Sequence, residues 1–383
     1  MDLGLTDHQR MLKDVARDVM QREAPRERLV AWQHTSTGIE PALWRQLAEL
    51  GWLGLRIPEA YGGQGAGAMD TAVVFEEVGR GPLGGPLFSS AVLGVEWVRA
   101  LGTPAQQARI LPEVAAGTTV LTVAWTEAEY GWRPGAVRLE PERSADGFRL
   151  AGRKLFVPDA FAATHFLVAV RTGPHPEDLS ALVVPREAPG VRVRPLAGLL
   201  RWQAEVTFAD VRLPADALLG EENQAARAFE AALDQALPIL AAYQVGGSQA
   251  VFEMSVEYSR SRVQFGRPIG QFQRVQDHII RLVNELDAAR WVMYDALWRQ
   301  DTGRPLTAAA SMAKAVASAA YWEACNAAHE VHAGIGSDRT FGLTLHTEMS
   351  RTLYPYLGDP RYHRARMADA LGWPRADTTG AAV

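Results

Sequence analysis

The sequence predicts an α+β multidomain fold with an N-terminal helical domain (1–118), a central small β-barrel domain (119–222) and a C-terminal antiparallel helical bundle (223–383). Three changes of pattern predict it. Apolar residues recur at helical spacing from Leu5 to about Val114, at strand-like spacing from Val120 to about Gly220, and again at helical spacing after Glu221. The 383 residues suit two or three domains.

In the first segment Leu43, Leu47, Leu50 and Leu53 mark one face of a helix that ends near Gly51 or Gly54. Two Gly-rich breaks follow, Tyr61–Gly67 and Gly79–Pro86. Neither follows a strand with the spacing of a nucleotide-binding loop, so both read as helix stops and turns that use positive φ. In the second segment Val120–Trp125, Lys154–Val157, His165–Arg171, Ala181–Pro185, Val191–Arg194 and Glu205–Leu213 are short β-rich runs. Turn formers such as Asp146-Gly147 separate them, which suggests a small barrel or sandwich. No long helix intervenes, so a parallel Rossmann sheet is disfavoured. In the third segment Val275, Ile279, Leu282, Leu286, Ala289, Met293 and Leu297 step by three or four. The Ala-rich stretch Thr307–Ala333 allows close helix packing, and Arg361–Leu371 closes the bundle.

Composition narrows the function classes. With 48% hydrophobic and 22% charged residues and a net charge of −5, the chain is neither disordered nor fibrous. The single cysteine, Cys325, excludes a disulfide scaffold and any Cys-rich metal site, and its apolar helix marks it as a small core residue. His329 and His332 lie three apart, but no third ligand completes a metal site, so their role reads as structural or solvated. Arginines are scattered among acids, leaving no footprint for nucleic acid. No apolar run reaches the roughly 20 residues of a membrane span, and Met1–Arg10 lacks a signal-peptide pattern. A soluble, cytoplasmic protein without membrane insertion is expected.

The run Tyr258–Gln273 (YSRSRVQFGRPIGQFQ) closely resembles the signature of the acyl-CoA dehydrogenase family. Four further stretches match at the right intervals: Leu50-Gly51-Trp52 with Pro58–Gly63, Thr126-Glu127, Asp210–Pro214, and Gly334-Ile335-Gly336. The resemblance covers nearly the whole chain and implies the acyl-CoA dehydrogenase-like fold. It also implies FAD, an acyl-CoA thioester substrate oxidised to the α,β-enoyl form, an electron-transfer flavoprotein as acceptor, and a homo- or hetero-oligomer in which the FAD tail crosses to a neighbouring protomer. In that chemistry a carboxylate removes an α-proton while the β-carbon gives hydride to the flavin, and hydrogen bonds to the thioester carbonyl stabilise the developing enolate.

Carried over residue by residue, Arg262 resembles the arginine that reaches the pyrophosphate of the adjacent protomer's flavin, a task suited to a forked, charged donor. A solvated helix-end arginine is the plain alternative. Phe265 and Gln273 match positions along the same FAD tail, and Phe265 equally fits a core role. Glu330 stands where a glutamine usually touches FAD, Ala333 replaces the first of a glycine pair, and Gly334 and Gly336 remain. Thr126 matches a residue at the flavin ring edge, where it would donate through its backbone or hydroxyl, and Phe156 matches an aromatic that packs on the flavin. Several positions depart from the pattern. Gly131-Trp132-Arg133 replaces Gly-Ser-Asp, and Pro158 replaces a Ser or Thr that hydrogen-bonds the ring.

The largest departure concerns the catalytic carboxylate, whose two familiar positions hold Leu357 and Ala236, the latter followed by Leu237 in place of an arginine. Neither accepts a proton, so the catalytic residue is left unassigned. Asp359, Asp234 and Glu230 lie nearby in sequence, where a surface or helix-cap role is expected for each; Pro238 is expected to break the first helix of the bundle, and a kink that shifts a neighbouring acid into the cleft is the alternative. Three functions follow. The chain is a self-sufficient dehydrogenase with an unrecognised base, or the complementary subunit of a hetero-oligomeric dehydrogenase, or a fold repurposed for oxygen-dependent flavin oxidation or for non-catalytic FAD binding. The pattern of kept and lost residues favours the second.

Overall fold

The computed structural model describes residues 4–33, 35–199 and 202–373. The N-terminal part contains α1 (Asp7–Glu23), α2 (Arg26–Trp32), α3 (Pro41–Glu49), α4 (Ala68–Arg80), α5 (Val95–Leu101) and α6 (Pro104–Ala115). Thr6 and Thr103 start α1 and α6 with capping boxes, each hydroxyl accepting from the backbone N–H of a glutamine three residues on. Leu43, Leu47 and Leu53 are buried, but Leu50 is exposed. The expected four-leucine face therefore fails at one position. α3 ends before it, and Gly51 (φ 77°) redirects the chain so that Leu53 is buried from a separate turn.

The second Gly-rich break holds a helix stop after Arg80 and a positive φ at Gly85 (84°), as expected, but its first glycine plays another part. Gly79 lies inside α4, where no turn is needed; a Cβ there would sit 1.9 Å from the Tyr243 carbonyl oxygen. Reciprocally, a Cβ at Gly246 would sit 1.9 Å from the Glu76 carbonyl oxygen. The two glycines let helices of different domains cross almost backbone to backbone.

The central domain has two four-stranded sheets built from β1 (Leu121–Ala124), β2 (Glu142–Ser144), β3 (Gly147–Pro158), β4 (His165–Arg171), β5 (Leu179–Pro185), β6 (Val191–Pro195), β7 (Gln203–Pro214) and β8 (Leu218–Leu219). Their orders are β1-β4-β5-β8 and β2-β3-β7-β6, with only β1–β4 parallel among these pairs. Phe148, Leu150, Phe166, Val168, Leu182, Val206 and Phe208 belong to a core of the domain's own. The two short strands β2 and β8 escape periodicity because neither is long enough to show an alternation. A register shift between Lys154 and Val157 leaves Phe156 at φ 54°, so the bulge re-aims its ring at the domain boundary.

The third domain contains α7 (Ala225–Ser261), a hairpin of β9 (Val263–Gln264) and β10 (Arg267–Pro268), α8 (Gln273–Asp301), α9 (Thr307–His332), α10 (Leu343–Leu353) and α11 (Pro360–Ala370). Helix α7 continues for 37 residues past Pro238, so the expected break is absent. The proline removes one backbone donor, while packing of the buried stretch Ala236–Gly247 holds the helix together. Leu282, Leu286, Ala289, Met293 and Leu297 are buried as their spacing predicts, and Cys325 is a buried core residue. Asp301 of α8 accepts from the N–H groups of Ala68 and Met69 (2.6 and 3.0 Å), capping α4 across the domain boundary. No helix among the described residues is long and apolar enough to cross a membrane.

Candidate active site and outer groove

Two regions collect the residues singled out above. The first is an open groove of about 750 Å³ on the C-terminal bundle. α7 ends at Ser261, Arg262 leaves it with extended backbone, and the hairpin presents Phe265 at φ 53°. Arg262 and Phe265 line one side, and Gly334 and Ile335, just past α9, line the other. The Arg262 guanidinium makes no ion pair or hydrogen bond among the described residues. Phe265 is 94% exposed, so the core alternative does not hold for it within the isolated chain. Its ring meets that of Phe272 edge-on at 6.1 Å, while Arg267 lies over Phe272 at 4.3 Å.

Gly334 faces open space, with no atom within 4 Å of where its Cβ would be. The preceding Ala333 has φ 51° and ψ −135°, a backbone suited to glycine. Gln273 and Glu330 are exposed, each one residue from the lining residues Phe272 and Val331, but neither lines the groove. His332, expected to be structural or solvated, is also a lining residue. It is buried, stacks on Tyr258 at 4.7 Å, is hydrogen-bonded through Nδ1 to the Ala328 carbonyl, and has no partner for Nε2 among the described residues. Burial lowers its pKa. No group of three or more His, Cys, Asp or Glu is placed to hold a metal ion among the described residues.

The second region is the cleft where the three domains meet. Glu127 anchors its roof, accepting from the backbone N–H groups of Arg138 and Leu139 (3.0 Å each) and from the buried Lys154 ammonium (2.6 Å). Desolvation lowers the Lys154 pKa to about 8 despite the carboxylate beside it. The loop tied down in this way carries Tyr130, whose hydroxyl donates to the Pro355 carbonyl (3.1 Å), and the buried Trp132. Below it, Trp125 stacks on Phe229 at 4.1 Å, Trp132 lies parallel to the same ring at 6.4 Å, and Tyr356 meets Trp132 edge-on at 6.0 Å. Four aromatic rings thus fill the cleft, a cluster invisible in the sequence because its members come from three separate stretches of chain.

The Thr126 hydroxyl donates to the Leu155 carbonyl, so of the two donors expected there, this one is already engaged. Phe156 meets Tyr130 edge-on at 5.1 Å. Leu357 and Ala236 are fully buried. Asp359 caps α11 by accepting from the Tyr362 N–H (2.7 Å), in keeping with a helix-cap role. Glu230 and Asp234 are not simple surface acids. Both pair with Arg366, at 2.6 and 2.8 Å, and Asp234 also accepts from Thr307 (2.5 Å). The turn Tyr354–Gly358 is held from behind by the buried Lys314, which donates to the carbonyls of Leu353, Tyr354 and Gly358. Sequence reasoning missed Asp159 and Ser89, which share a small cavity beside Pro158 and Tyr356.

Family models match three consecutive parts of the chain: the acyl-CoA dehydrogenase N-terminal domain over residues 6–118, the middle domain over 122–211 and the C-terminal domain over 225–372. A probable acyl-CoA dehydrogenase, YngJ of Bacillus subtilis (strain 168), is 31% identical over 354 residues, 90% of this chain and 92% of that protein. Among solved structures, butyryl-CoA dehydrogenase from Megasphaera elsdenii superposes with a TM-score of 0.88 at 25% identity, covering 97% of this chain and 100% of that one. PigA with FAD and proline superposes with a TM-score of 0.89 at 26% identity, covering 97% and 99%.

Proposed function

The chain belongs to the acyl-CoA dehydrogenase family of FAD flavoproteins, and from that premise we propose that it acts in α,β-dehydrogenation of an acyl thioester as the complementary subunit of a hetero-oligomeric dehydrogenase. One contrast carries this proposal. Both positions for the catalytic carboxylate are apolar and fully buried, at Leu357 and Ala236, whereas the groove around Arg262 stands open with its guanidinium unengaged among the described residues.

The two regions differ in their fit to FAD. In the groove, a guanidinium without a partner among the described residues, an exposed aromatic ring and a glycine facing open space suit the phosphates and adenosine of a dinucleotide presented by a neighbour. Arg262 would bind the pyrophosphate, Phe265 and Gly334 would flank the tail, and Gln273 and Glu330 would sit at the rim. In the central cleft the fit is poor. Pro158 has no donor, the Thr126 hydroxyl is taken by Leu155, and Trp125, Phe229, Trp132 and Tyr356 fill the space. When bound, FAD accepts a hydride from the acyl β-carbon. This chain's residues would hold the outer end of that cofactor for a partner that carries the carboxylate, and electrons would pass on to an electron-transfer flavoprotein.

The test is co-purification with flavin analysis. Expressed alone, the chain should be colourless or carry far less than one FAD per protomer. Co-expressed with a glutamate-bearing relative, it should form a yellow complex that bleaches anaerobically with an acyl-CoA. Arg262→Ala in this chain should then lower the flavin content of the complex by about tenfold, the loss of one charge-assisted anchor. A yellow, acyl-CoA-reducible protein purified alone would overturn the proposal.

A further inference from the structure

We infer that the cavity beside Pro158 selects an acyl group carrying a protonated amine, with Asp159 as the residue that recognises the nitrogen. The inference rests on the family's thioester chemistry, not on which subunit carries the carboxylate, and specifies the acyl group admitted by the small space that the aromatic cluster leaves beside it.

The cavity, of about 70 Å³, lies where the three domains meet, and it admits a small group, not a long chain. Leu83, Phe88, Leu240 and Met349 make its walls apolar. Against them Asp159 is an anomaly: its carboxyl is buried, and its one hydrogen bond among the described residues comes from the Ser89 hydroxyl, at 2.6 Å. No cation pairs with it among the described residues. Its place is fixed by the backbone, where the Asp159 N–H donates to the Trp202 carbonyl (2.7 Å) and the Asp159 carbonyl accepts from Ala162 and Ala163. Desolvation raises its pKa to about 6, only partly countered by Ser89.

A buried carboxyl with a lone hydroxyl partner is costly to the fold, and a cationic ligand offsets that cost where a hydrocarbon does not. Phe88 and Tyr356, edge-on at 6.1 Å, line the same cavity and add aromatic faces attractive to a cation. The Tyr356 hydroxyl is also buried without a partner among the described residues. The pattern is one acid, one unused hydroxyl and aromatic walls around a small space. It fits an ammonium on a short acyl group better than a plain alkyl chain.

The test compares two non-hydrolysable CoA analogues in which CH2 replaces the thioester sulfur, one butyryl and one 2-aminobutyryl, titrated calorimetrically into the protein in its native assembly. The wild type should bind the amino analogue at least about tenfold more tightly, the worth of one charge-assisted hydrogen bond. Asp159→Asn should abolish that preference while leaving butyryl binding within about threefold. A second measurement needs no variant. From pH 5 to 7 wild-type affinity should rise for the amino analogue only, as Asp159 ionises. The other titratable residues lining the cavity, Tyr243 and Tyr356, are both pushed above the ordinary tyrosine range by burial. Lys314, behind the Leu353 and Tyr354 carbonyls, bears on both analogues alike.

Equal binding of the two analogues by the wild type, or a preference that survives Asp159→Asn, overturns the inference and leaves the family function standing. So does a variant that loses FAD but keeps the preference, since the carboxyl then serves the cofactor. Failure of the wild type to bind either analogue removes both the inference and the thioester function beneath it.

Discussion

Replacing Gly246 by alanine sets two physical effects against each other. Helix propensity favours the change by about 1 kcal/mol, because glycine in a helix interior is the more flexible residue when unfolded. The structure opposes it. The new Cβ would lie 1.9 Å from the Glu76 carbonyl oxygen, whereas ordinary contact begins at 3.4 Å, so α7 and α4 must separate locally by about 1.5 Å. The obstacle is backbone and cannot rotate away. Gly79 sits at the same crossing with the same 1.9 Å approach to Tyr243, so sliding the helices offers no relief. Glu76 is further held by Lys13 (2.6 Å) and by the Tyr294 hydroxyl (3.1 Å). Overpacking of this kind costs about 3 kcal/mol at the upper end of its usual range, leaving a net loss of about 2 kcal/mol. Urea denaturation followed by far-UV circular dichroism measures it. The Tyr243 hydroxyl donates to the Leu83 carbonyl at 3.0 Å, and both residues line the Asp159 cavity, so the variant should also weaken ligand binding there. A Gly246→Ala protein at least as stable as the parent would show that propensity outweighs the crossing and refute this reasoning.

Three further substitutions probe strain, charge pairing and burial. Ala333→Gly should stabilise the chain by about 1 kcal/mol by relieving φ 51°, and an unchanged denaturation midpoint would show that the backbone bears no strain there. Arg366→Met should destabilise by about 3 kcal/mol in thermal melts, since it leaves Asp234 and the less buried Glu230 without their cation, and Arg366→Lys should recover only part of the loss. Asp159→Asn should change the pH profile of stability. The folded-state pKa, near 6, lies above the ordinary 3.8, so the parent's contribution from this group is fully present below about pH 3.8 and is lost as the pH rises through 6. Parent and variant should match near pH 3.5 and differ by roughly 3 kcal/mol in the variant's favour at pH 7, and a constant difference across that range would count against a buried, unpaired acid.

What the sequence makes legible is what a short window contains. Three runs of periodicity place the three domains. The contiguous stretch Tyr258–Gln273, together with Gly334, marks the outer groove, because Arg262 and Phe265 are positioned by one helix end and one hairpin. Residues whose meaning comes from distant neighbours are opaque. Gly79 looks like a turn former until α7 is laid across it. Glu230 and Asp234 look like surface acids until Arg366, more than a hundred residues later, pairs with both. Asp159 follows a proline at a strand end, a usual setting for a solvated turn residue. Only when Ser89 and Tyr356 arrive from the other two domains does it become a buried acid.

The closed cleft and the open groove belong to a single energetic argument. Trp132 is almost wholly buried, so swinging its loop away re-exposes an indole and breaks the Tyr130–Pro355 hydrogen bond. Large side chains of this kind contribute about 1.5–3 kcal/mol each when buried. At about 3 kcal/mol the open cleft is populated roughly a hundredfold less than the closed one, and any ring ligand binding this chain's own cleft has its affinity reduced by that factor. The groove carries no such penalty, because Arg262, Phe265 and Gly334 already face open space. On the proposed function, the asymmetry accounts for apolar Leu357 and Ala236 occurring together with Trp132. On that same proposal, a chain with no base to place against a substrate has nothing to oppose aromatic closure of the cleft, and closure would leave the outward-facing groove intact for a neighbour's cofactor. Trp132→Ser, measured as flavin uptake by the isolated chain, should therefore raise the affinity for FAD toward the hundredfold limit while leaving the contribution of Arg262 to a partner's flavin unchanged. No gain in uptake would show that the aromatic stack is not what holds the cleft shut.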